Sequence, residues 1–315
     1  MDVLAGLLDG PRARGAFLLR SVLDPPWALR VQDRAPLTLV ALVRGWAWIL
    51  PERDEAVRLD AGDVAVVRGP DPYTIADDPA TAPTVVIHPG QLCTSASDGR
   101  SLREEWDLGV RTWGTGRDGA TTMLTGTYER AGEISRSLLA ALPPVLAMRR
   151  ADWDSPLVTL LAHEIVTDTV GQRAVLDRLL DALLIAVLRT WLAGQEESAP
   201  GWYRAQRDPA VRKALQLVHS APEHPWTVAG LATECGVSRT VLARRFTELV
   251  GQPPMSYLTS WRLTLAADLL CRPGSTVAGV ARRVGYGTAF ALSAAFKRER
   301  GISPREYRAL ADRSS

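Results

Sequence analysis

The chain has 315 residues, 46% of them hydrophobic and 23% charged, with a formal net charge of +2. At roughly 150 residues per domain this length suggests about two domains, and the mix excludes a disordered, collagen-like or coiled-coil chain. The charge is unevenly spread: residues 201–315 carry 17 Lys and Arg against 8 Asp and Glu, a balance of +9, which leaves 20 against 27, or −7, for residues 1–200. A basic part of this kind suits a polyanion.

No apolar run reaches the ~18 charge-free residues of a membrane span. The most apolar stretch, Ala174 to Leu192, is broken by Asp177, Arg178, Asp181 and Arg189. The start at Met1-Asp2 has no basic segment leading into an apolar one, so a secretory signal is not expected. Cys93, Cys235 and Cys271 are too scattered for a disulfide framework or a four-thiolate zinc site. A cytoplasmic protein with reduced thiols, no cofactor and no membrane contact is expected.

The first ~125 residues read as short strands at the spacing of a sandwich or barrel. Leu37 to Val43 and Trp46 to Leu50 flank Arg44-Gly45, a tight hairpin signal. Ala56 to Leu59, the turn Asp60 to Asp63 and Val64 to Val67 follow, then a loop at Arg68 to Pro72, Tyr73 to Ile75, and Thr84 to His88. Gly45 with Leu59-x-Ala61-Gly62-Asp63-Val64 resembles a cupin, which implies a jelly roll. Metal-holding cupins place two close histidines, a glutamate and a later histidine in the barrel. Trp46-Ala47-Trp48-Ile49 and Asp71-Pro72-Tyr73 stand where those histidines would be, so a binding pocket is expected rather than metal catalysis. Trp27, Trp46, Trp48 and Tyr73 suit the lining of such a pocket, and core packing explains them equally well. In Val86-Ile87-His88-Pro89-Gly90-Gln91-Leu92-Cys93 a loop cysteine follows a histidine by five residues. A nearby imidazolium would lower the thiol pKa and make the sulfur oxidisable; the alternative is an inert thiol beside a structural histidine. Residues 102–113 mix charges with two tryptophans and suggest no role.

Helices are expected from Ser135, from Ser155-Pro156 towards Thr169, and over Ala174–Leu192. In the last, Leu176, Leu179, Leu180, Leu183, Leu184, Val187, Leu188 and Trp191 share one face. That face is buried either on its own domain or across a two-fold axis in a homodimer. A small, polar, acidic linker follows around Ala193 to Gly201.

The basic part repeats itself. Thr227-Val228-Ala229-Gly230 recurs as Thr276-Val277-Ala278-Gly279, and Ala232 and Gly236 match Ala281 and Gly285. After one inserted residue, Phe246, Gly251, Pro254 and Tyr257 match Phe296, Gly301, Pro304 and Tyr307. Each copy reads as helix-turn-helix. Thr227 caps a helix over Val228 to Cys235, Gly236 supplies the left-handed turn, Val237 plugs the turn, and Ser238 caps a second helix over Arg239 to Val250. The second copy runs from Thr276 to Val284, turns at Gly285-Tyr286-Gly287 and continues from Thr288 to Arg300. A helix over Met255 to Cys271 separates the copies, about 25 Å long at 1.5 Å per residue.

Residues 207–312 resemble the paired helix-turn-helix domain of AraC/XylS-type transcription regulators. The motifs are Ala232-x-x-x-Gly236-Val237-Ser238, Leu242-x-x-Arg245-Phe246, Tyr257-x-x-x-x-Arg262-Leu263, and the tail from Gly285-Tyr286 through Phe296-Lys297-Arg298 to Gly301-Ile302-Ser303-Pro304-x-x-Tyr307-Arg308. The resemblance implies a cytoplasmic homodimer that binds double-stranded DNA in the major groove, with RNA polymerase as a further partner. It implies a DNA-facing surface of Ser238, Arg239, Thr240, Ala243 and Arg244, with Arg244 the candidate for a bidentate guanine contact. Arg239 and Arg245 would touch phosphate or pack. In the second recognition helix an alanine replaces the family's arginine. Weak base reading is expected there, through Thr288, Ala289, Ser293 and thymine methyl groups, with Lys297, Arg298 and Arg300 on the backbone. Some cupin-fronted regulators carry a similar His-Pro…Cys stretch, which implies thiol sensing at His88 and Cys93.

The whole reads as an α+β chain: a cupin-like jelly-roll sensor over 1–125, a helical dimerisation and coupling layer over 126–193, a linker over 194–206, and an all-α tandem helix-turn-helix domain over 207–315. The implied function is transcription regulation controlled by a small-molecule effector or an oxidant. An enzyme with a DNA-binding tail would need a zinc–thiolate cluster that the three cysteines do not supply.

Overall fold

A computed structural model describes residues 16–128, 139, 141–153, 155–195, 203, 205–271 and 274–313. They form two compact units, one from the residues up to 194 and one from 195 onward. The helix expected from Ser135 and most of the expected linker lie outside the described residues.

The first unit is a sandwich of two sheets. Its strands are β1 (Phe17–Leu23), β2 (Ala28–Val31), β3 (Leu37–Arg44), β4 (Trp46–Pro51), β5 (Val57–Asp60), β6 (Val64–Arg68), β7 (Tyr73–Ala76), β8 (Val85–His88), β9 (Leu92–Ser95), β10 (Asp107–Gly109), β11 (Thr112–Gly114), β12 (Thr121–Tyr128) and β13 (Val145–Met148). One sheet runs β10-β11-β1-β12-β3-β6-β13 and the other β5-β4-β7-β2-β8-β9. Leu23, Val40, Leu42, Ala65, Val67 and Met123 from the first sheet form one cluster with Leu29, Ala47, Ile49, Leu59, Ile75 and Val85 from the second. The alternating residues are apolar because each strand buries one face between the sheets. β3 is buried on both faces from Leu37 to Leu42, because helices cover the outer side. These are α1 (Leu157–Glu164) and α2 (Gln172–Gly194).

Three expectations are corrected here. Arg44-Gly45 does not close a hairpin: β3 and β4 belong to different sheets. Gly45 is a corner with φ +74°, where an added Cβ would lie 2.5 Å from the Ala120 carbonyl oxygen, so only glycine passes. The helix opening near Ser155 ends at Glu164 rather than Thr169. Gln172 then donates from Nε2 to the Glu164 carbonyl (2.9 Å) and ties α1 to α2. Cys93 lies in β9, paired with Ile87, and not in a loop.

The predicted apolar face of α2 packs on its own unit. Leu176, Leu180, Leu183, Leu184, Val187 and Leu188 are buried, while Leu179 and Trp191 are half-buried. Gly126 of β12 makes room for Leu180, whose Cδ1 an added Cβ would meet at 2.4 Å. Residues 102–113 also gain a role: Trp113 is buried in the sandwich core, its ring 4.6 Å from that of Trp106.

The second unit is helical: α3 (Pro209–Ser220), α4 (Val228–Cys235), α5 (Arg239–Val250), α6 (Pro254–Leu270), α7 (Val277–Arg283), α8 (Ala289–Arg300) and α9 (Pro304–Arg313). The sequence repeat is a structural repeat. Thr227 and Thr276 each accept from the glycine amide three residues on, at 3.0 and 3.1 Å. Phe246 and Phe296 are fully buried, and each meets its matching tyrosine, Tyr257 or Tyr307, edge-on at 5.6 and 5.4 Å. The spacer α6 serves both copies: Tyr257, Leu258 and Trp261 complete the first core, and Leu263, Ala266, Ala267 and Leu270 complete the second.

Candidate nucleic-acid interface

Capping explains why α5 begins where it does. The Ser238 hydroxyl accepts from the Val241 amide at 3.3 Å, satisfying one of the helix's orphan donors. Leu242 and Phe246 face the core, so Arg239, Thr240 and Arg244 are left exposed and Ala243 half-exposed. The neighbouring Arg245 is committed elsewhere. Its Nη1 lies 3.3 Å from Oδ2 of Asp208, while Oδ1 of the same carboxylate caps α3 through the amides of Ala210 (2.9 Å) and Val211 (3.0 Å). Asp208 therefore joins α3, the helix before the first helix-turn-helix, to α5. The sequence reading missed it, although Asp-Pro before an apolar helix is a start signal. Among the described residues, Arg239 and Arg244 have no hydrogen-bond or ion-pair partner.

The second copy is built the same way with different chemistry. Thr288 caps α8 by accepting from Ala291 at 3.1 Å. The Ser293 hydroxyl donates to the Ala289 carbonyl at 2.8 Å, inside its own helix. Leu292, Ala295 and Phe296 are buried, leaving Phe290, Ala291, Ala294, Lys297 and Arg298 exposed and Ala289 half-buried. Exposed Arg282 and Arg283 end α7. Arg262 pins the approach to the first helix-turn-helix: it donates to the carbonyls of Pro222 (2.6 Å) and His224 (2.7 Å).

In the sandwich, Asp63 of the cupin-like motif is a buried clamp. It accepts from the amides of Asp60 (3.0 Å) and Arg150 (2.8 Å) and from Arg149 Nη1 (3.0 Å). Burial alone would raise its carboxyl, but these hydrogen bonds hold it below the ordinary carboxylate range. Trp46 is exposed on the second sheet, donating to the Asp77 carbonyl (3.1 Å), and Trp48 is half-buried. Tyr73 is buried, and burial pushes its phenol up. It belongs to the core and also lines a cavity of about 450 Å³ with Glu52, Arg53, Arg68, Asp71 and Val145. The tryptophans do not join it there.

His88 and Cys93 sit on adjacent strands, but the imidazole is engaged with Gln32 Nε2 (3.3 Å) and Thr94 Oγ1 (2.9 Å). Burial pushes the Cys93 thiol up to about 11, against a weaker lowering by Arg103. That is opposite to the lowering expected from an adjacent imidazolium.

A cupin family matches residues 2–193, and a helix-turn-helix domain family matches residues 231–310. An AraC-like transcription regulator of Streptomyces antibioticus is 32% identical over 313 residues, covering 98% of each chain. The chain belongs to the AraC family of transcription regulators. The regulator is also 34% identical over 177 residues to the HTH-type transcriptional regulator AlkR of Acinetobacter baylyi, covering 54% of this chain and 58% of that one. Among solved structures, the DNA-binding domain of AdpA, determined with a target DNA, is 33% identical; the match covers 33% of the regulator and 92% of that chain, with a TM-score of 0.32. The regulator thus joins a cupin domain to a DNA-binding helix-turn-helix domain. Among the described residues no helix is long and apolar enough to cross a membrane.

Proposed function

We propose that the regulator binds specific promoter DNA by placing α5 and α8 in the major groove, α6 spacing them along one duplex. The observation that carries this is the division of labour on α5: Arg245 is held by Asp208, while Arg239 and Arg244 are exposed and unpartnered among the described residues. In this reading Arg244 reads guanine, Arg239 and Lys297 hold phosphates, and Arg298 does the same. Arg244→Ala lowers affinity for the specific site by about fivefold to a hundredfold and for random DNA far less. Equal losses on both DNAs would refute base reading.

The signal enters the N-terminal unit, and a small molecule is the favoured form. The cavity beside Tyr73 offers a part-apolar, part-charged lining, as ligand sites do. A thiol signal at Cys93 is the second reading; the raised thiol leaves about one thiolate in ten thousand at pH 7. Exposed Leu160, Val166, Val170, Val175 and Ile185, on and between α1 and α2, support a homodimer. The regulator acts in the cytoplasm, where promoter DNA and RNA polymerase are its partners. Footprinting on the DNA upstream of its own gene, with sedimentation to read the oligomer, tests the scheme.

A further inference from the structure

Phe290 stands in the first turn of α8 with 83% of its surface open to solvent. Of the chain's other phenylalanines, Phe246 and Phe296 are fully buried and Phe17 is partly covered. Exposed Ala291 and Ala294 share its helix. The two hydroxyls of this stretch are engaged within the helix, Thr288 at the Ala291 amide and Ser293 at the Ala289 carbonyl. Lys297 and Arg298 follow on the same helix as exposed cations. The front of α8 is therefore an apolar tip on a basic shaft. In the major groove only one base edge offers an apolar feature, the 5-methyl group of thymine.

We infer that Phe290, with Ala291 and Ala294, reads thymine through its methyl group, so that the two copies of the repeat recognise different chemistry: α5 hydrogen-bonds to guanine and α8 packs on thymine. This rests on α8 being the groove-entering helix of the proposed function. The occupant of the apolar tip is DNA because the tip is continuous with the cations that would bind the same duplex.

The test uses full-length protein and a duplex selected by it from random DNA, remade with each thymine replaced in turn by deoxyuridine. That change removes the methyl group and leaves the Watson–Crick pairing intact. At one or two thymines the wild type should lose about three- to fourfold in affinity, the worth of one buried methyl. Phe290→Ala should bind the unmodified duplex about tenfold more weakly and be indifferent to those same replacements. Phe290→Leu, which keeps an apolar tip, should retain the discrimination. The salt dependence should be unchanged in both variants. A deoxyuridine penalty equal in wild type and Phe290→Ala, or no sensitive thymine at all, overturns the inference. Normal DNA binding by Phe290→Ala with lost transcription in a purified polymerase assay also overturns it, assigning the tip to RNA polymerase. If the wild type selects no sequence, or Lys297→Ala leaves the salt dependence untouched, the proposed function itself fails.

Discussion

Nε2 of His219, on α3, lies 2.7 Å from the hydroxyl of Tyr257, on α6. The imidazole also stacks on Trp261, ring centroids 4.1 Å apart at 4°, and His219 is buried. Burial pushes its pKa down to about 4, with no opposing charge. The fold therefore accepts only the neutral ring. Relative to an unfolded value near 6.5, the domain keeps its full stability above about pH 6.5 and loses it as the pH falls towards 4. Between pH 7.5 and pH 5 the loss is about 2 kcal/mol. Urea unfolding of the whole chain at these two pH values should show it in the helical domain's transition, and His219→Gln should flatten that dependence. An equal pH dependence in the variant would show that other groups dominate.

Asp63 should be the most sensitive polar position of the sandwich. Asp63→Ala leaves the amides of Asp60 and Arg150 without their acceptor in a part-buried corner, which costs about 1 kcal/mol. The wild-type carboxyl is held low, so its contribution is full above the ordinary carboxylate pKa near 3.8 and is lost only as the pH falls through its own, lower value. The gap in thermal stability between wild type and Asp63→Ala should be full at pH 7 and narrow as the pH is taken progressively below 3.8.

The cations Arg245 and Lys297 should behave differently. Arg245→Ala breaks a half-exposed ion pair worth below about 1 kcal/mol, so its main effect is a small loss of stability with base preference intact. Lys297→Ala should weaken specific and random DNA alike and reduce the slope of log affinity against log salt by about one. Salt titrations by fluorescence anisotropy separate the two effects. A changed sequence preference in Arg245→Ala would mean the guanidinium leaves Asp208 for a base.

Two of the three thiols, Cys271 and Cys93, should rank by exposure. Cys271 is exposed, while Cys93 is half-buried with its thiol raised to about 11. Iodoacetamide at pH 7.5 should label Cys271 well before Cys93, as read by peptide mass. Faster labelling of Cys93 would make the thiol signal the leading reading.

The DNA-binding half was legible in the sequence because its determinants are local. Thr227, Gly236, Ser238 and Gly251 fall within one helix-turn-helix, and their copies repeat the spacing with one residue inserted at the turn, so caps and left-handed turns could be placed without knowing what packs on what. The front half was not legible in that way. β1 pairs Phe17 with Thr127, its neighbour in the same sheet but far along the chain, and β9 and β13 are short strands whose partners alone identify them. Arg44-Gly45 has the composition of a hairpin and the geometry of a corner, a distinction set by the Ala120 carbonyl behind it.

Sequence by itself determined the family, the repeat, the helix caps and which stretch carries the side chains proposed to face DNA, because those follow from short-range hydrogen bonding and side-chain periodicity. Only the tertiary structure decided which of those side chains are free. It tied Arg245 to Asp208 over a separation of 37 residues, engaged Thr288 and Ser293 within α8, left Phe290 in solvent, and drew Cys93 into a strand. Burial and ion pairing depend on neighbours brought from far along the chain, and no local pattern encodes them.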